Sequence, residues 1–129
     1  MKKVLVTGGA GFIGSNFIHY LLEQDPAVQI VNLDALTYAG SLENLKDLPD
    51  PDRHVFVHGN ITDRELLDQL FVEHKIDTVI NFAAETHVDR SIHSPGVFVD
   101  TNVVGTYTLL EAARRAWLVD KIVPLEEVR

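Results

Sequence analysis

The 129-residue sequence contains no cysteine, and positively charged residues are few, with 11 Lys and Arg against 19 Asp and Glu. Without cysteine there is no disulfide bond, no thiolate metal ligand and no cysteine nucleophile. The formal net charge of −8 argues against a nucleic-acid partner, because binding to phosphates requires clustered Lys and Arg. No apolar run approaches the roughly 20 residues of a membrane span, so we expect no membrane partner.

Charged residues make up 23% and hydrophobic residues 46% of the chain, which is typical of one folded domain with a buried core. The chain starts with lysines and a short apolar run, as a secretion signal would. Glycines interrupt that run at once, and no long apolar stretch follows it. We therefore interpret the start as a first β-strand and expect the protein in the cytoplasm.

Short apolar segments alternate with segments in which apolar residues recur at helical spacing. The predicted strands are 4–6, 28–33, 55–57, 78–82 and a fifth at 121–123, and the predicted helices are 12–23, 62–74 and 95–117. The helix at 62–74 opens on Thr-Asp-Arg-Glu, which has the form of a capping box. The alternation predicts an α/β fold with a Rossmann-like parallel sheet of order 3-2-1-4-5 and helices on both faces.

Between the first strand and the first helix lies Thr-Gly-Gly-Ala-Gly-Phe-Ile-Gly at 7–14. Gly8 permits a tight turn, Gly11 lets the backbone approach a pyrophosphate, and Gly14 allows close packing of helix on strand. The N-terminus of the helix offers free N–H groups to the phosphates. This loop predicts a dinucleotide site; the alternative is a tight turn that binds no ligand.

Asp34 ends the second strand, 20 residues beyond Gly14. Its carboxylate is placed to accept hydrogen bonds from the adenosine ribose and would repel the 2′-phosphate of NADP. Ala35 and Leu36 follow it and offer no cation to that phosphate. The pattern predicts NAD as the cofactor, and the alternative role of Asp34 is to cap a turn.

Two further segments follow predicted strands where a cofactor would lie. Asn60 and Ile61 follow the third strand, and Asn60 is able both to donate to and to accept from an adenine edge. An ordinary turn residue at this position is an equal alternative. Phe82, Ala83 and Ala84 end the fourth strand, where small residues either let a dinucleotide lie flat or pack beneath a helix.

Three more motifs accompany the glycine loop: Asp-Ala-Leu-Thr-Tyr-Ala-Gly at 34–40, Ala-Ala-Glu-Thr-His-Val-Asp-Arg-Ser at 83–91 and Thr-Asn-Val-Val-Gly-Thr at 101–106. The loop resembles that of extended short-chain dehydrogenases/reductases, including many nucleotide-sugar epimerases and dehydratases. With the other motifs, the sequence resembles the dTDP-glucose 4,6-dehydratase family from residue 1 to about 118.

This resemblance implies a homodimeric lyase with a dTDP-sugar substrate, which dehydrates dTDP-glucose to dTDP-4-keto-6-deoxyglucose through transient hydride transfer to NAD. The family usually has Asp where this chain has Asn60, a change that removes a charge but keeps an acceptor. The implied substrate contacts are Thr86 and His87. The predicted cofactor contacts, from the loop and the resemblance together, are Gly8, Gly11, Phe12, Ile13, Gly14, Asp34, Ala35, Leu36, Thr37, Asn60, Ile61, Phe82, Ala83, Ala84, Glu85, Thr86 and Thr101.

The family's proton-relay pair, Tyr-x-x-x-Lys, is missing. Tyr20, Tyr38 and Tyr107 are followed at the fourth position by Gln, Leu and Glu. The absent Lys would hold the nicotinamide ribose and lower the tyrosine pKa. We therefore assign no catalytic residue and no metal ligand, and we expect the chain alone to be inactive.

The predicted organisation is a partial NAD-binding Rossmann domain at 1–118 and a divergent tail at 119–129, with the sheet incomplete at its C-terminal end and the substrate domain absent. The helix at 95–117 should cover the sheet and, by the resemblance, join the homodimer interface. Three functions stay open: the NAD-binding part of a dTDP-glucose 4,6-dehydratase, another nucleotide-sugar epimerase or dehydratase, or a non-catalytic NAD-binding module.

Overall fold

A computed structural model describes residues 1–36, 40–83 and 100–129, apart from the side chains of residues 100 and 101. Four parallel strands form one sheet in the order β3-β2-β1-β4. The strands are β1 (Lys3–Thr7), β2 (Gln29–Asp34), β3 (His54–His58) and β4 (Thr78–Asn81). The predicted α/β class and Rossmann-like parallel sheet are confirmed.

In the described ranges the α-helices that accompany the sheet are α1 (Phe12–Gln24), α2 (Arg64–His74) and α3 (Thr106–Arg114). π-Helical turns at Asp100–Gly105 and Arg115–Val119 extend α3 at both ends. The predicted helix at 95–117 is therefore found over its described part, and its first residues, 95–99, lie outside the described residues. Short 3-10 turns occur at Leu42–Leu45, Pro51–Arg53 and Leu125–Glu127.

Two apolar clusters lie on opposite faces of the sheet, because successive side chains of a strand point to opposite sides. On one face, Val4 and Val6 of β1 pack with the apolar side of α1. On the other face, Leu5 packs with α2 and α3. Helices thus cover both faces, as predicted, and the glycine loop connects β1 to the helix on the first face.

The predicted strand at 121–123 is wrong. Lys121 takes a left-handed conformation with φ of 49°, which breaks an extended segment. The N–H of Ile122 donates to the carbonyl of Ala116 at 3.0 Å and so closes the preceding helical turn instead of pairing with a strand. The side chain of Ile122 packs against the core. Within the described residues the sheet order therefore ends at β4, in place of the predicted 3-2-1-4-5.

Arg129 also lies beside β4 and makes two backbone hydrogen bonds to residues at its start. Its N–H donates to the carbonyl of Asp77 at 2.9 Å, and its carbonyl accepts from the N–H of Val79 at 3.0 Å. One residue that bonds on both sides to two residues of its neighbour is the pattern of a parallel pair. The tail thus returns to the edge of the sheet after leaving α3.

The N-cap of α2 is Asp63, not the Thr62 that the capping-box pattern predicts. The Asp63 side chain accepts a hydrogen bond from the N–H of Leu66 at 3.2 Å. The N–H and the hydroxyl of Thr62 both donate to Oδ1 of Asn60, so the Thr62 side chain bonds to the turn before the helix. Adjacent Thr and Asp offer two caps, and in this chain Asp63 is the one that bonds to the helix start.

Candidate functional site

The carboxyl ends of the four parallel strands meet at one edge of the sheet, and the described site residues gather there. The register aligns Thr7 at the end of β1 with Leu33 on one side and Asn81 on the other. It also aligns Asp34 with His58. The glycine loop, the acid after β2 and the residues after β3 and β4 are therefore neighbours.

Gly8 and Gly14 are required by the shape of the loop. Gly8 has φ of +71°, a conformation that side chains disfavour. A Cβ atom on Gly8 would lie 2.6 Å from the backbone of Phe82 and Ala83, so the loop crosses directly over the end of β4. A Cβ on Gly14 would overlap the carbonyl oxygen of Gly8. Both predicted roles, tight turn and close packing, match this geometry.

Gly11 is different, because its φ of −76° is open to any residue. It stands at the N-cap of α1, which no side chain caps, and the first turn holds no acidic residue. The next two side chains are apolar yet exposed, Phe12 by 77% and Ile13 by 69%. An uncapped helix start whose first turn carries no acidic residue is suited to bind an anion.

Asp34 is nearly buried and holds two backbone groups. Its Oδ2 accepts from the N–H of Ala10 at 2.8 Å, and its Oδ1 accepts from the N–H of Leu36 at 2.8 Å. Leu36 has φ of 53°, a left-handed conformation that is costly for leucine. A carboxylate offers about four acceptor positions, and bonds from the described residues use two of those of Asp34, so capping this turn leaves room for ligand hydroxyls. The two roles predicted as alternatives are compatible.

A second set of hydrogen bonds holds the glycine loop, and the sequence did not predict it. The carbonyl of Ala10 accepts from the N–H of Ser41 at 3.0 Å and from Nδ2 of Asn44 at 2.8 Å. Asn44 is 34 residues from Ala10 in the sequence, and no local pattern indicates this contact. The segment after β2 thus folds back over the loop and holds the carbonyl of Ala10, while Asp34 holds its N–H.

A buried amide lies beneath the same loop. Asn32 is fully buried, and a Cβ on Gly9 would overlap its Oδ1, which has no hydrogen-bond partner among the residues that the structure describes. Its Nδ2 lies 3.2 Å from Nε2 of His54, a pairing that requires that nitrogen to be unprotonated. Burial lowers the pKa of His54, which favours that neutral form.

Asn60 keeps less acceptor capacity than the sequence suggests. Its Oδ1 accepts from the N–H of Thr62 at 2.9 Å and from the Thr62 hydroxyl at 3.0 Å. Asn60 is exposed, while the neighbouring Ile61 is buried in the core. The turn role predicted as an alternative therefore belongs to the oxygen of this amide.

Phe82 and Ala83 contribute backbone to the site, since their side chains belong to the core. The ring of Phe82 lies 5.4 Å from that of Phe17 on α1, and Ala83 packs against the opposite cluster. Oδ1 of Asn81, a residue that the sequence did not single out, accepts from the N–H of Ala83 at 3.1 Å and from the hydroxyl of Thr7. The side chain of Ala83 therefore has the packing role, which was one of the two roles expected from the sequence.

Some predicted contacts lie outside the described residues: Thr37, Ala84, Glu85, Thr86, His87 and the side chain of Thr101. Among the residues that are described, no group of His, Asp and Glu is arranged to hold a metal ion. Nor does that part of the chain include a helix long and apolar enough to cross a membrane.

Comparison with known proteins finds similarity to nucleotide-sugar dehydratases and epimerases. A family model described as GDP-mannose 4,6 dehydratase matches residues 5–125. A dTDP-glucose 4,6-dehydratase from Xanthomonas campestris is 56% identical over 117 residues, which are 91% of this chain and 33% of that protein. The chain thus spans about a third of the length of the curated relatives it matches.

Solved structures share the fold as well. A dTDP-glucose 4,6-dehydratase from Streptomyces venezuelae, crystallised with NAD, superposes with a TM-score of 0.82 at 48% identity, over 88% of this chain and 36% of that one. A UDP-glucose 4-epimerase from Stenotrophomonas maltophila, also with bound NAD, gives 0.79 at 36% identity, over 90% and 34%.

Proposed function

Since the chain belongs to the family described as GDP-mannose 4,6 dehydratase, we propose that it is the NAD-binding part of a dTDP-glucose 4,6-dehydratase. The observation that carries the proposal is the joint geometry of Gly11 and Asp34. An uncapped helix start and a carboxylate with spare acceptor positions lie at the same edge of one parallel sheet. Phosphates and ribose hydroxyls are the groups that these two features bind.

The residues at this edge match the successive parts of the dinucleotide. The N–H groups at the start of α1 would hold the pyrophosphate, and the carboxylate of Asp34 would bind the adenosine ribose hydroxyls. Asn60 and Ile61 would lie against the adenine. NAD, when bound, supplies hydride uptake and return, and these residues bind and orient it. The remaining predicted contacts, from Thr37 to Thr101, are proposed on the resemblance alone.

Isotope-edited NMR tests the assignment residue by residue. On addition of NAD, the amide signals of Gly11, Phe12 and Ile13 should shift, as should those of Leu36. The amide of Glu126, in the tail, should not move. Shifts confined to residues away from the glycine loop would contradict the proposal.

The dTDP-sugar substrate is favoured by the relatives, because the dehydratases are 48% to 56% identical and the epimerase is 36% identical. Thr86 and His87 are the proposed substrate contacts. The 129 residues lack Tyr-x-x-x-Lys, so we expect them to bind cofactor without turnover. Incubation with dTDP-glucose and NAD should give no 4-keto sugar, and robust formation of that product would overturn this expectation.

We propose that the chain forms a homodimer through α3 and the π-helical turn before it, because these two together expose an apolar stripe. Val103, Tyr107 and Leu110 recur at helical spacing and are each more than 60% exposed. A second copy of the chain would cover this stripe. Leu110→Glu should shift the sedimentation coefficient from dimer to monomer, whereas Val72→Glu, on the exposed side of α2, should not. A monomeric wild-type chain would contradict the proposed dimer.

The cytoplasmic location stays a prediction.

A further inference from the structure

The first turn of α1 carries three backbone donors that a ligand is able to use. Among the described residues, the N–H groups of Phe12, Ile13 and Gly14 donate to no acceptor, since a helix provides none for its first N–H groups. If the helix began earlier, the N–H of Gly14 would pair with the carbonyl of Ala10, four residues before it. The availability of these donors therefore depends on what the Ala10 carbonyl binds.

The Ala10 carbonyl is bound by the 40–45 segment, which follows β2. It accepts from the N–H of Ser41 at 3.0 Å and from Nδ2 of Asn44 at 2.8 Å. A carbonyl oxygen only accepts, so the atom of the Asn44 amide that faces it must be the nitrogen. A carbonyl oxygen has two lone pairs, and the 40–45 segment supplies a donor for each of them.

The 40–45 segment is itself held in place. The hydroxyl oxygen of Ser41 accepts from the N–H of Glu43 at 3.2 Å, which closes the turn. Leu45 packs against the apolar cluster on the α1 face of the sheet. Asn44 is exposed, and within the described ranges its side chain bonds only to Ala10. Its amide is therefore committed to the glycine loop.

The backbone between Ala10 and the helix is able to turn if this bond is lost. Gly11 has no Cβ to restrict rotation, and its N–H makes one bond, to the carbonyl of Gly8 at 3.2 Å. Without the Asn44 amide, the Ala10 carbonyl regains an acceptor position, and the N–H of Gly14 competes for it. A donor that pairs within the chain in this way is lost to a phosphate.

We propose that Asn44 is a positioning residue of the cofactor site: by occupying the Ala10 carbonyl, it keeps the N–H groups at the start of α1 available to phosphate oxygens. The inference rests on the proposed function, because it takes pyrophosphate binding at this helix start as given. It requires no contact between Asn44 and the ligand. It also applies only to ligands that carry phosphate, because adenosine has no group that uses these donors.

The test compares ADP, which carries the pyrophosphate, with adenosine, which lacks it, on the wild-type chain and on Asn44→Ala. NMR titration of isotope-labelled protein gives the two dissociation constants. Asn44→Ala should weaken ADP binding about three- to tenfold, the size of one net hydrogen bond, and leave adenosine binding unchanged. A general loosening of the fold would weaken both ligands alike, so the ratio of the constants separates positioning from a merely structural role.

Leu42→Ala is the matched control, because it truncates an exposed side chain in the same turn and retains the Asn44 amide. Its ratio should equal that of the wild type, and a change as large as in Asn44→Ala would overturn the positioning role. An unchanged ratio in Asn44→Ala, with ADP bound by the wild type, would overturn it as well and leave the proposed function intact. Failure of the wild-type chain to bind ADP would overturn both.

Discussion

The carboxylate of Asp34 accepts a hydrogen bond from the backbone N–H of Ala10 at 2.8 Å. The acid that ends β2 therefore also fixes the loop that follows β1. The Ala10 carbonyl is held in turn by Ser41 and Asn44. The side chain proposed to bind the ribose therefore also determines the shape of the glycine loop.

Asp34→Asn should weaken NAD binding about tenfold or more and reduce the discrimination against NADP. The amide keeps one acceptor but turns an N–H₂ group toward Ala10 or Leu36, and the negative charge that repels a 2′-phosphate is lost. Calorimetric titrations with NAD and NADP measure both effects. Asp52→Asn, at the opposite edge of the sheet, is the matched control. Equal affinities of Asp34→Asn and the wild type for NAD would contradict the role.

Gly14→Ala should lower the stability of the fold, whereas Gly11→Ala should weaken NAD binding. Alanine at 14 would overlap the Gly8 carbonyl, so we expect a loss of about 2 to 4 kcal/mol in the free energy of unfolding. Alanine at 11 meets a backbone conformation that it readily adopts, and should leave stability within about 1 kcal/mol while weakening NAD binding. Urea denaturation and calorimetry provide the two readouts. A stable Gly14→Ala, or a Gly11→Ala that binds NAD normally, would be inconsistent with these roles.

Asp77→Asn should destabilise the fold without involving the site. The buried carboxylate of Asp77 accepts from the N–H groups of Lys2 and Lys3 at 3.0 and 3.1 Å and from the Thr78 hydroxyl at 2.7 Å, which ties the start of β1 to β4. An amide would set its own N–H₂ against one of these donors, at a cost of about 1 to 3 kcal/mol. Urea denaturation measures the loss, with the exposed Asp120→Asn as control. Matching midpoints for the two variants would refute the assignment.

His54 should make stability depend on pH below neutrality. Burial lowers the pKa of His54 from its ordinary value of 6.5, so the unfolded chain binds more protons as the pH falls. The stabilisation is complete above pH 6.5 and is lost progressively as the pH falls from there toward the folded-state pKa. Denaturation of the wild type and of His54→Gln between pH 8 and 5 should show a steeper decline in the wild type. Parallel curves for the wild type and His54→Gln would argue against this dependence.

The sequence is sufficient for the parts of the fold that local patterns determine. Alternating apolar segments predict the parallel sheet, and the need for glycine at Gly8 and Gly14 follows from the turn that a strand-loop-helix unit requires. Asp34 is found because its distance from the loop is set by one helix and one strand. These relationships extend over short stretches of chain.

Features that depend on distant contacts are missed. Lys-Ile-Val at 121–123 has strand composition, but the left-handed Lys121 and the contact of Ile122 with the core prevent pairing. Nothing local indicates that Asn44 reaches Ala10. The orientation of the Asn60 amide also follows only from the position of Thr62 in the folded turn.

The most direct test of the account is calorimetric titration of NAD and of NADP into this 129-residue chain. The account predicts one NAD site per chain and at least tenfold weaker binding of NADP, because the Asp34 carboxylate repels a 2′-phosphate. A folded sample that binds no NAD, or that binds NADP equally well, would contradict it.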